Sequence, residues 1–255
     1  MLHFAENLLK AEPGIAHLFS VGQAGFILKS ASGQALGLDL YLSDCVEREE
    51  GHLGFKRMLP HILEAGEITF DALIATHAHR DHFDVDAMPN LMNANKTLLF
   101  AAEDCKDDTE ALGMPSDRIF FVRPGMEKRC GDFTLDFVSC DHGTESPEAV
   151  GVIITVDNKR ILEVGDTCLR LDRVNEYLHF GPIDVLIAPI NGAYGNMNEA
   201  DCVTLARALQ PGLTIPCHYG MFASHGGNPG RFHELMSEKH LPYTILTQGE
   251  EYPLS

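Results

Sequence analysis

The sequence predicts an α+β fold in which two β-sheets carry helices on their outer faces. Short apolar runs of strand length dominate the first part of the chain, and later runs alternate with segments of helical periodicity. The 255 residues contain no low-complexity stretch, internal repeat or Pro/Gly/Ser-rich linker. We therefore expect one domain that spans residues 1–255 and buries a substantial core.

The first part of the chain predicts four strands and two helices. Asp84 or Asp86 can cap the first helix, in which Pro89 fits only in the first turn, where no amide partner is lost. A turn at residues 31–34 separates the first two strands, and Gly113 ends the second helix. The strands are expected at residues 25–30, 35–42, 70–75 and 97–102, and the second helix at 104–112.

In the second part of the chain, strands alternate with helices. The tripeptide Asp157-Asn158-Lys159 between two apolar runs is a strong hairpin signal. The expected strands are 119–122, 133–139, 150–156, 160–164, 183–190, 213–217 and a closing strand at 243–246, and the expected helices are 172–179, 198–209 and 229–239.

Composition excludes several classes of protein. The formal net charge of -18 opposes sequence-independent binding to nucleic acid, which needs Lys and Arg to neutralise phosphates. No apolar run approaches the roughly 18 residues of a membrane helix, and the N-terminus lacks the features of a signal peptide. Seven scattered cysteines without a CxxC pair suit reduced thiols in a cytoplasm. We expect a cytoplasmic protein with a small-molecule substrate, and the sequence leaves a homo-oligomer open.

The most informative segment is Thr76-His77-Ala78-His79-Arg80-Asp81-His82, directly after the apolar run 70–75. It places three imidazoles and a carboxylate on a loop that leaves a buried strand, a rigid place from which to direct ligands into one cavity. Imidazole together with carboxylate suits zinc, manganese or iron. The spacing therefore predicts a metal site.

Ligand-type residues recur at the ends of three later strands. His142 follows the strand at 133–139, Asp166 follows 160–164, and His218 follows 213–217. Strand ends at one edge of a sheet converge, and sites of α/β proteins usually lie there. We therefore expect these three residues to join the HxHxDH loop.

The ordered set Thr76-His-Ala-His-Arg-Asp-His82, His142, Gly165-Asp166-Thr167 and His218 resembles the metallo-β-lactamase-fold hydrolase superfamily. The resemblance implies an αββα four-layer sandwich with a two-metal site at one edge. It assigns His77, His79 and His142 to one metal, Asp81, His82 and His218 to the other, and Asp166 as the bridge between them. A His at position 79, where the redox di-iron branch has Glu, favours hydrolysis.

A narrower resemblance rests on residues 189–197 and 215–220. These segments are similar to the L-ascorbate-6-phosphate lactonase-like branch, which implies a manganese- or zinc-dependent opening of a phosphorylated sugar lactone. A phosphodiesterase, an iron-dependent persulfide dioxygenase and a non-catalytic metal-binding or ligand-sensing module are the alternatives.

A two-metal site predicts a mechanism and a set of contacts. Two divalent ions lower the pKa of a bound water, and the resulting hydroxide attacks a lactone or ester carbonyl. Asp81 is either a plain ligand or also the group that orients the nucleophile and carries its proton. Backbone amides at residues 225–231, with Arg231 or Arg80, could receive a phosphate. The candidate substrate contacts are Asn191, Tyr194, Tyr219 and His225.

Overall fold

The computed structural model describes residues 4–94 and 96–254, and its frame is two β-sheets. The strands of the first sheet are β1 (Ala16–Gly22), β2 (Gly25–Lys29), β3 (Ala35–Leu38), β4 (Ala72–Ala75), β5 (Leu98–Ala102), β6 (Ile119–Val122) and β13 (Glu251–Leu254). Their spatial order is β13-β1-β2-β3-β4-β5-β6, with parallel pairing from β3 to β6.

The second sheet has six strands in the described part of the chain. They are β7 (Glu127–Cys130), β8 (Phe133–Ser139), β9 (Val150–Val156), β10 (Lys159–Glu163), β11 (Val185–Pro189) and β12 (Leu213–Cys217). Their spatial order is β12-β11-β10-β9-β8-β7, and the pairs β10-β11 and β11-β12 are parallel.

The central core lies between the two sheets. Successive side chains of a strand point to opposite faces, so every second residue of each sheet faces the other. Leu18, Phe26 and Leu28 of the first sheet belong to the same buried cluster as Leu135 and Phe137 of the second. Burying each such side chain stabilises the fold by about 1.5–3 kcal/mol.

Helices cover the outer face of each sheet. They are α1 (Phe4–Lys10), α2 (Cys45–Glu50), α3 (Met88–Leu91), α4 (Lys106–Ala111), α5 (Val174–Leu178), α6 (Glu199–Leu209) and α7 (Pro229–Glu238). Phe4 of α1 and Met88 of α3 pack in the buried cluster on the outside of the first sheet, and Leu205 of α6 and Phe232 of α7 pack in that of the second. The predicted αββα fold of four layers is confirmed.

Local sequence explains where α6 begins. The Asn198 side chain accepts a hydrogen bond from the Asp201 amide over 3.0 Å, and the Asp201 carboxylate accepts from the Asn198 amide over 3.3 Å, which is a capping box. With 11 residues, α6 is longer than every other helix within residues 4–94 and 96–254. No helix of that part has the length and apolar character to cross a membrane.

The structure corrects some predicted boundaries and one strand. The predicted strand at 243–246 is wrong: Tyr243 forms only an isolated bridge with Thr214, and the chain closes as β13 against β1. The strand predicted at 35–42 ends at Leu38, because Asp39 adopts a left-handed conformation with φ 45°. The helix predicted from Asp84 or Asp86 begins only at Met88. Strands β1, β7 and β13 and helices α1 and α2 were not predicted.

Candidate metal centre

Seven predicted ligands come together at one edge of the two sheets. The loop 76–82 follows the parallel strand β4, and the other ligands follow β8, β10 and β12. Six of the seven side chains are buried, and His79 is half-buried at the base of an open cavity. The seven are His77, His79, Asp81, His82, His142, Asp166 and His218.

Three imidazoles form what we call the first ligand group: His77, His79 and His142. His79 Nδ1 lies 2.9 Å from His77 Nε2 and 3.1 Å from His142 Nε2. The loop supplies two of the three, and the end of β8 supplies the third. Three nitrogen donors therefore face one another with no carboxylate among them.

The second ligand group consists of Asp81, His82 and His218. His82 Nε2 lies 3.3 Å from His218 Nε2, and Asp81 Oδ2 lies 3.4 Å from His218 Nε2 and 3.7 Å from His82 Nε2. This group therefore pairs two imidazoles with one negative charge.

Asp166 lies between the two groups. Its Oδ2 atom is 2.9 Å from His218 Nε2 and 3.5 Å from His82 Nε2, both of the second group, and 3.8 Å from His142 Nε2 of the first. The Asn196 side chain donates a hydrogen bond to the same oxygen over 2.8 Å. One carboxylate oxygen is thus within reach of both ligand groups.

A buried network fixes the hydrogens of two ligands. Thr76 Oγ1 donates to Asp39 Oδ2 over 2.6 Å and lies 3.1 Å from His77 Nδ1, while His82 Nδ1 lies 2.7 Å from Asp39 Oδ2. Because the Asp39 carboxylate only accepts, the hydrogen of His82 belongs on Nδ1, and the Thr76 oxygen accepts from His77 Nδ1. Both imidazoles then present a free lone pair at Nε2.

Gln23 supports the second ligand group from the β1–β2 turn. Its side-chain amide nitrogen lies 2.8 Å from Asp81 Oδ2, 2.9 Å from His225 Nδ1 and 3.2 Å from His218 Nε2. The backbone of Gln23 has φ 55°, and its carbonyl accepts a hydrogen bond from the His218 amide over 2.8 Å. This one residue therefore holds Asp81, His218 and His225 relative to one another.

The charges of the cluster shift the pKa values of its members. Burial opposes charge on Asp166, yet the His218 and His82 imidazoles hold its pKa well below the usual range. Burial lowers the pKa of His218, but the Asp166 and Asp81 carboxylates outweigh it and raise this pKa to about 9. Burial holds the pKa of His77 well below its usual value. The carboxylates are therefore ionised, and the second ligand group stabilises positive charge.

The donor set fits divalent transition metals. Neutral imidazole and carboxylate are the ligands that zinc, manganese and iron accept. In each group the ligand atoms converge within 4.8 Å of one another. The supporting bonds from Asp39 and Thr76 place the hydrogens of His77 and His82 on Nδ1, so that each Nε2 lone pair is directed into the site. A cation can bind these lone pairs, whereas another hydrogen-bond acceptor cannot. The residues present therefore fit a metal in either ligand group.

The four candidate substrate contacts have different surroundings. Tyr194 and His225 line the cavity above the ligands. This cavity has a volume of about 730 Å³. Asn191 is buried and does not line this cavity, and its amide nitrogen lies 3.4 Å from the Ala193 carbonyl. Tyr219 lines a separate cavity of about 260 Å³, with its hydroxyl 3.4 Å from the Leu246 carbonyl. The structure thus brings two of the four to the ligands.

Two amides of the loop at residues 225–231 donate to side chains. The Asn228 amide donates to Glu199 Oε1 over 2.6 Å, and the Arg231 amide donates to the Asn228 side chain over 3.0 Å. The Arg231 guanidinium pairs with Glu234 at 3.0 Å and lies outside the cavity lining. The Asn228 and Arg231 amides are therefore not free to receive a phosphate.

Three supporting residues escaped the sequence analysis: Asp39, Gln23 and Asn196. Asp39 had a signal, because it is the one charged residue in the apolar run 35–42. Asn196 lies inside the segment 189–197 that carries the narrower resemblance. Gln23 lies in a glycine-flanked turn far from the ligands in sequence, and nothing local marks it.

An αββα sandwich with His and Asp ligands converging at one edge of its sheets defines the class of metallo-β-lactamase-fold proteins. The family model described as "Beta-lactamase superfamily domain" matches residues 17–218. The chain belongs to this family.

Relatives and solved structures agree with this assignment. A UPF0173 metal-dependent hydrolase of Polynucleobacter asymbioticus is 27% identical over 256 residues, covering 93% of this chain and 86% of that protein. Igni18, a metallo hydrolase of Ignicoccus hospitalis, has a TM-score of 0.73 at 20% identity, with 94% and 98% of the two chains covered. An isothiocyanate hydrolase from Delia radicum gut bacteria has a TM-score of 0.72 at 20% identity, with 92% and 98% covered. Both structures share the fold.

Proposed function

We propose that the chain is a metal-dependent hydrolase that holds two divalent ions and opens a lactone or ester, with a small sugar-like molecule as substrate. The observation that carries the proposal is Asp166 Oδ2, which lies within 2.9–3.8 Å of nitrogen donors of both ligand groups. The curated relatives that are named metal-dependent hydrolases support the same class of reaction. Manganese and zinc are the proposed metals, with iron as a further option.

His77, His79 and His142 would hold one ion, and Asp81, His82 and His218 the other, with Asp166 between them. Bound there, divalent ions supply Lewis acidity and a hydroxide at neutral pH. The protein's own contribution is to orient the imidazoles and to hold the two carboxylates in place. The buried network around Asp39 and the amide of Gln23 do this before any substrate arrives.

Two side chains can manage protons at the cavity floor. Asp81 Oδ2 is held by the Gln23 amide and borders the cavity, so it can accept the proton of the attacking water and pass it to the leaving alkoxide. His225 accepts from Gln23 at Nδ1, so its hydrogen lies on Nε2, where it can donate to a substrate oxygen. Burial lowers the pKa of His225 to about 4, and the imidazole is therefore neutral at pH 7.

The state of the cysteines bears on the cellular compartment in which the protein works. All seven cysteines are free of disulfide bonds. Reduced thiols are typical of a cytoplasm, and we propose that the enzyme works there.

The test combines metal analysis with a substrate panel. Protein loaded with Mn²⁺ or Zn²⁺ is assayed with sugar lactones, simple carboxylic esters and bis(p-nitrophenyl) phosphate. We expect close to two ions per chain and turnover of the lactones or esters. Turnover of the phosphodiester alone would reassign the enzyme as a phosphodiesterase, and fewer than one ion per chain would contradict catalysis by this site.

A further inference from the structure

We propose that this site selects uncharged or positively charged substrates with an apolar arm and discriminates against anionic ones, sugar phosphates included. The inference rests on the proposed function and names the substrate class of the same site. It departs from the phosphorylated lactone that the sequence resemblance implies. Three features of the cavity wall carry it: its charges, the engagement of its one arginine, and its exposed apolar side.

The rim of the cavity is strongly acidic. Among the residues that the structure describes, five carboxylates besides the metal ligands line it, together with one Lys or Arg. The carboxylates come from α2, from the segment that leads into α4, from α4 itself, and from the loop after His142. They are Glu49, Glu50, Asp104, Asp108 and Glu145, and the single basic residue is Arg80.

Arg80 is already engaged by this rim. Its Nε atom donates to Glu49 Oε2 over 3.2 Å, and Nη1 donates to Asp108 Oδ2 over 2.7 Å and to the Ala78 carbonyl over 3.3 Å. Two carboxylates therefore balance one guanidinium, and a phosphate would have to compete with both. Arg80 shapes the wall of the cavity and is not a free anion receptor.

Two of the rim carboxylates carry uncompensated charge. Glu50 and Glu145 are exposed and form no ion pair within the described ranges 4–94 and 96–254. A phosphate that enters this cavity meets their repulsion, whereas a neutral group does not and an ammonium group is attracted. Because both side chains are exposed, the effect must weaken as salt is added.

Part of the cavity wall is apolar. Leu53 is 60% exposed and Tyr194 is 56% exposed, and both large side chains line the cavity. The Phe55 ring lies 5.5 Å from the Tyr194 ring and 5.6 Å from the His225 ring. An alkyl or aryl arm of a substrate would cover these side chains and remove their apolar surface from water.

The experiment uses the metal-loaded protein and three γ-lactones that differ only at the end of an alkyl arm. The arms end in a methyl group, a phosphate or a trimethylammonium group. At low ionic strength we expect kcat/KM to be at least about tenfold lower for the phosphate compound than for the other two. At high salt the gap should shrink, since exposed charges are screened. A phosphate compound that reacts as fast as the others would overturn the proposal.

Two double variants with the same change in net charge test whether the rim carboxylates cause the discrimination against phosphate. The double variant Glu50→Lys and Glu145→Lys should reduce the discrimination against phosphate at least about threefold with metal content unchanged. The matched control pairs Glu234→Lys with Glu238→Lys, two exposed positions of α7 outside the cavity lining, and should keep the discrimination. Equal effects of the two double variants would contradict selection by the rim.

Binding separates this inference from the proposed function. The three corresponding lactams, which resist hydrolysis, are titrated into the same protein by calorimetry. Weaker binding of the phosphate lactam supports the inference even if none of the lactones turns over, a result that would count against the proposed reaction alone. Equal or tighter binding of the phosphate lactam overturns the inference whatever the reaction is.

Discussion

The two ligand groups of the metal centre are built differently. The first holds three imidazoles, one of them half-buried, and His142 Nδ1 meets no hydrogen-bond partner within the described residues. The second holds a carboxylate, and behind it stand Asp39 and Gln23 with bonds of 2.7 and 2.8 Å. Supporting bonds of this kind orient ligands and strengthen metal binding. We therefore expect the second group to bind its ion more tightly than the first.

The largest effect should follow from removing the residue that both groups share. Asp166→Ala takes away the carboxylate that lies within reach of both groups, so both ions should be lost. Activity should fall by about 1000-fold or more, since metal catalysis contributes several kcal/mol at about 1.4 kcal/mol per tenfold. Metal content by mass spectrometry and kcat/KM check this. The control is Asp117→Ala, an exposed carboxylate outside the cavity lining, which should keep both properties. Asp166→Ala protein that retains two ions would refute the shared ligand.

Removing a ligand from one group distinguishes the two groups directly. His79→Ala should lower the metal content from about two ions to about one, because the second group keeps all three of its ligands and its supporting bonds. Asp81→Ala leaves only the first group complete. A competing chelator should then strip the Asp81→Ala protein at lower concentration than the His79→Ala protein. If the His79→Ala protein loses its metal at the lower chelator concentration, the first group binds its ion more tightly than the second, contrary to our expectation.

Changing Asp39, which supports the ligand His82, should reduce metal affinity less than removing a ligand does. Asp39→Asn keeps the shape of the side chain but removes the charge that faces His82, and loss of such a partner weakens metal affinity by about 10–100-fold. The loss should be larger in the second group, because Asp39 contacts His82 directly and reaches His77 of the first group only through Thr76. It is measured by chelator competition in the His79→Ala background, with Asp39→Asn in the Asp81→Ala background as the control. Equal losses in the two backgrounds would show that Asp39 supports both groups.

The mildest test varies only pH. In the metal-free protein the pKa of His218 is raised to about 9, so at pH 7 this imidazole is protonated and must release its proton when a metal binds. The neighbouring carboxylates also raise the pKa of His82 in this group. Affinity of the second group should therefore rise between pH 7 and pH 9, by up to about tenfold per pH unit for each proton released. Burial holds the pKa of His77 well below its usual value, so the same titration should leave the affinity of the first group flat. Calorimetric titration of the two single-group variants measures both slopes, and parallel slopes would contradict the difference in charge.

The sequence predicted which His and Asp side chains come together better than it predicted the residues that support them, for a physical reason. His77 to His82 occupy one loop after one strand, and strand ends of parallel sheets converge, so local pattern and fold class sufficed. Gln23 reaches the site from a turn nearly 200 residues away from His218, a contact that only the tertiary fold creates. Asp39 was visible as a charge in an apolar run, but its meaning depends on where β3 ends.

Tyr219 shows what sequence adjacency leaves open. Its place directly after His218 makes it a candidate substrate contact. His218 lies past the end of β12 and has φ 63°, so the strand pattern does not give the direction of the next side chain. Tyr219 lines the smaller cavity of about 260 Å³ and not the one above the ligands. The predicted strand at 243–246 failed similarly, since apolar content alone does not provide a partner strand.

Each ligand group draws residues from both sheets. The loop after β4 of the first sheet contributes His77 and His79 to one group and Asp81 and His82 to the other, while β8 and β12 of the second sheet contribute His142 and His218. An ion in either group is therefore a cross-link between the two halves of the sandwich, comparable to a staple across a long loop. Anything that binds only the folded state stabilises it by mass action, about 2.7 kcal/mol at a hundred times the dissociation constant. Metal supply would then set how firmly the two sheets are held together, as well as whether the enzyme is active.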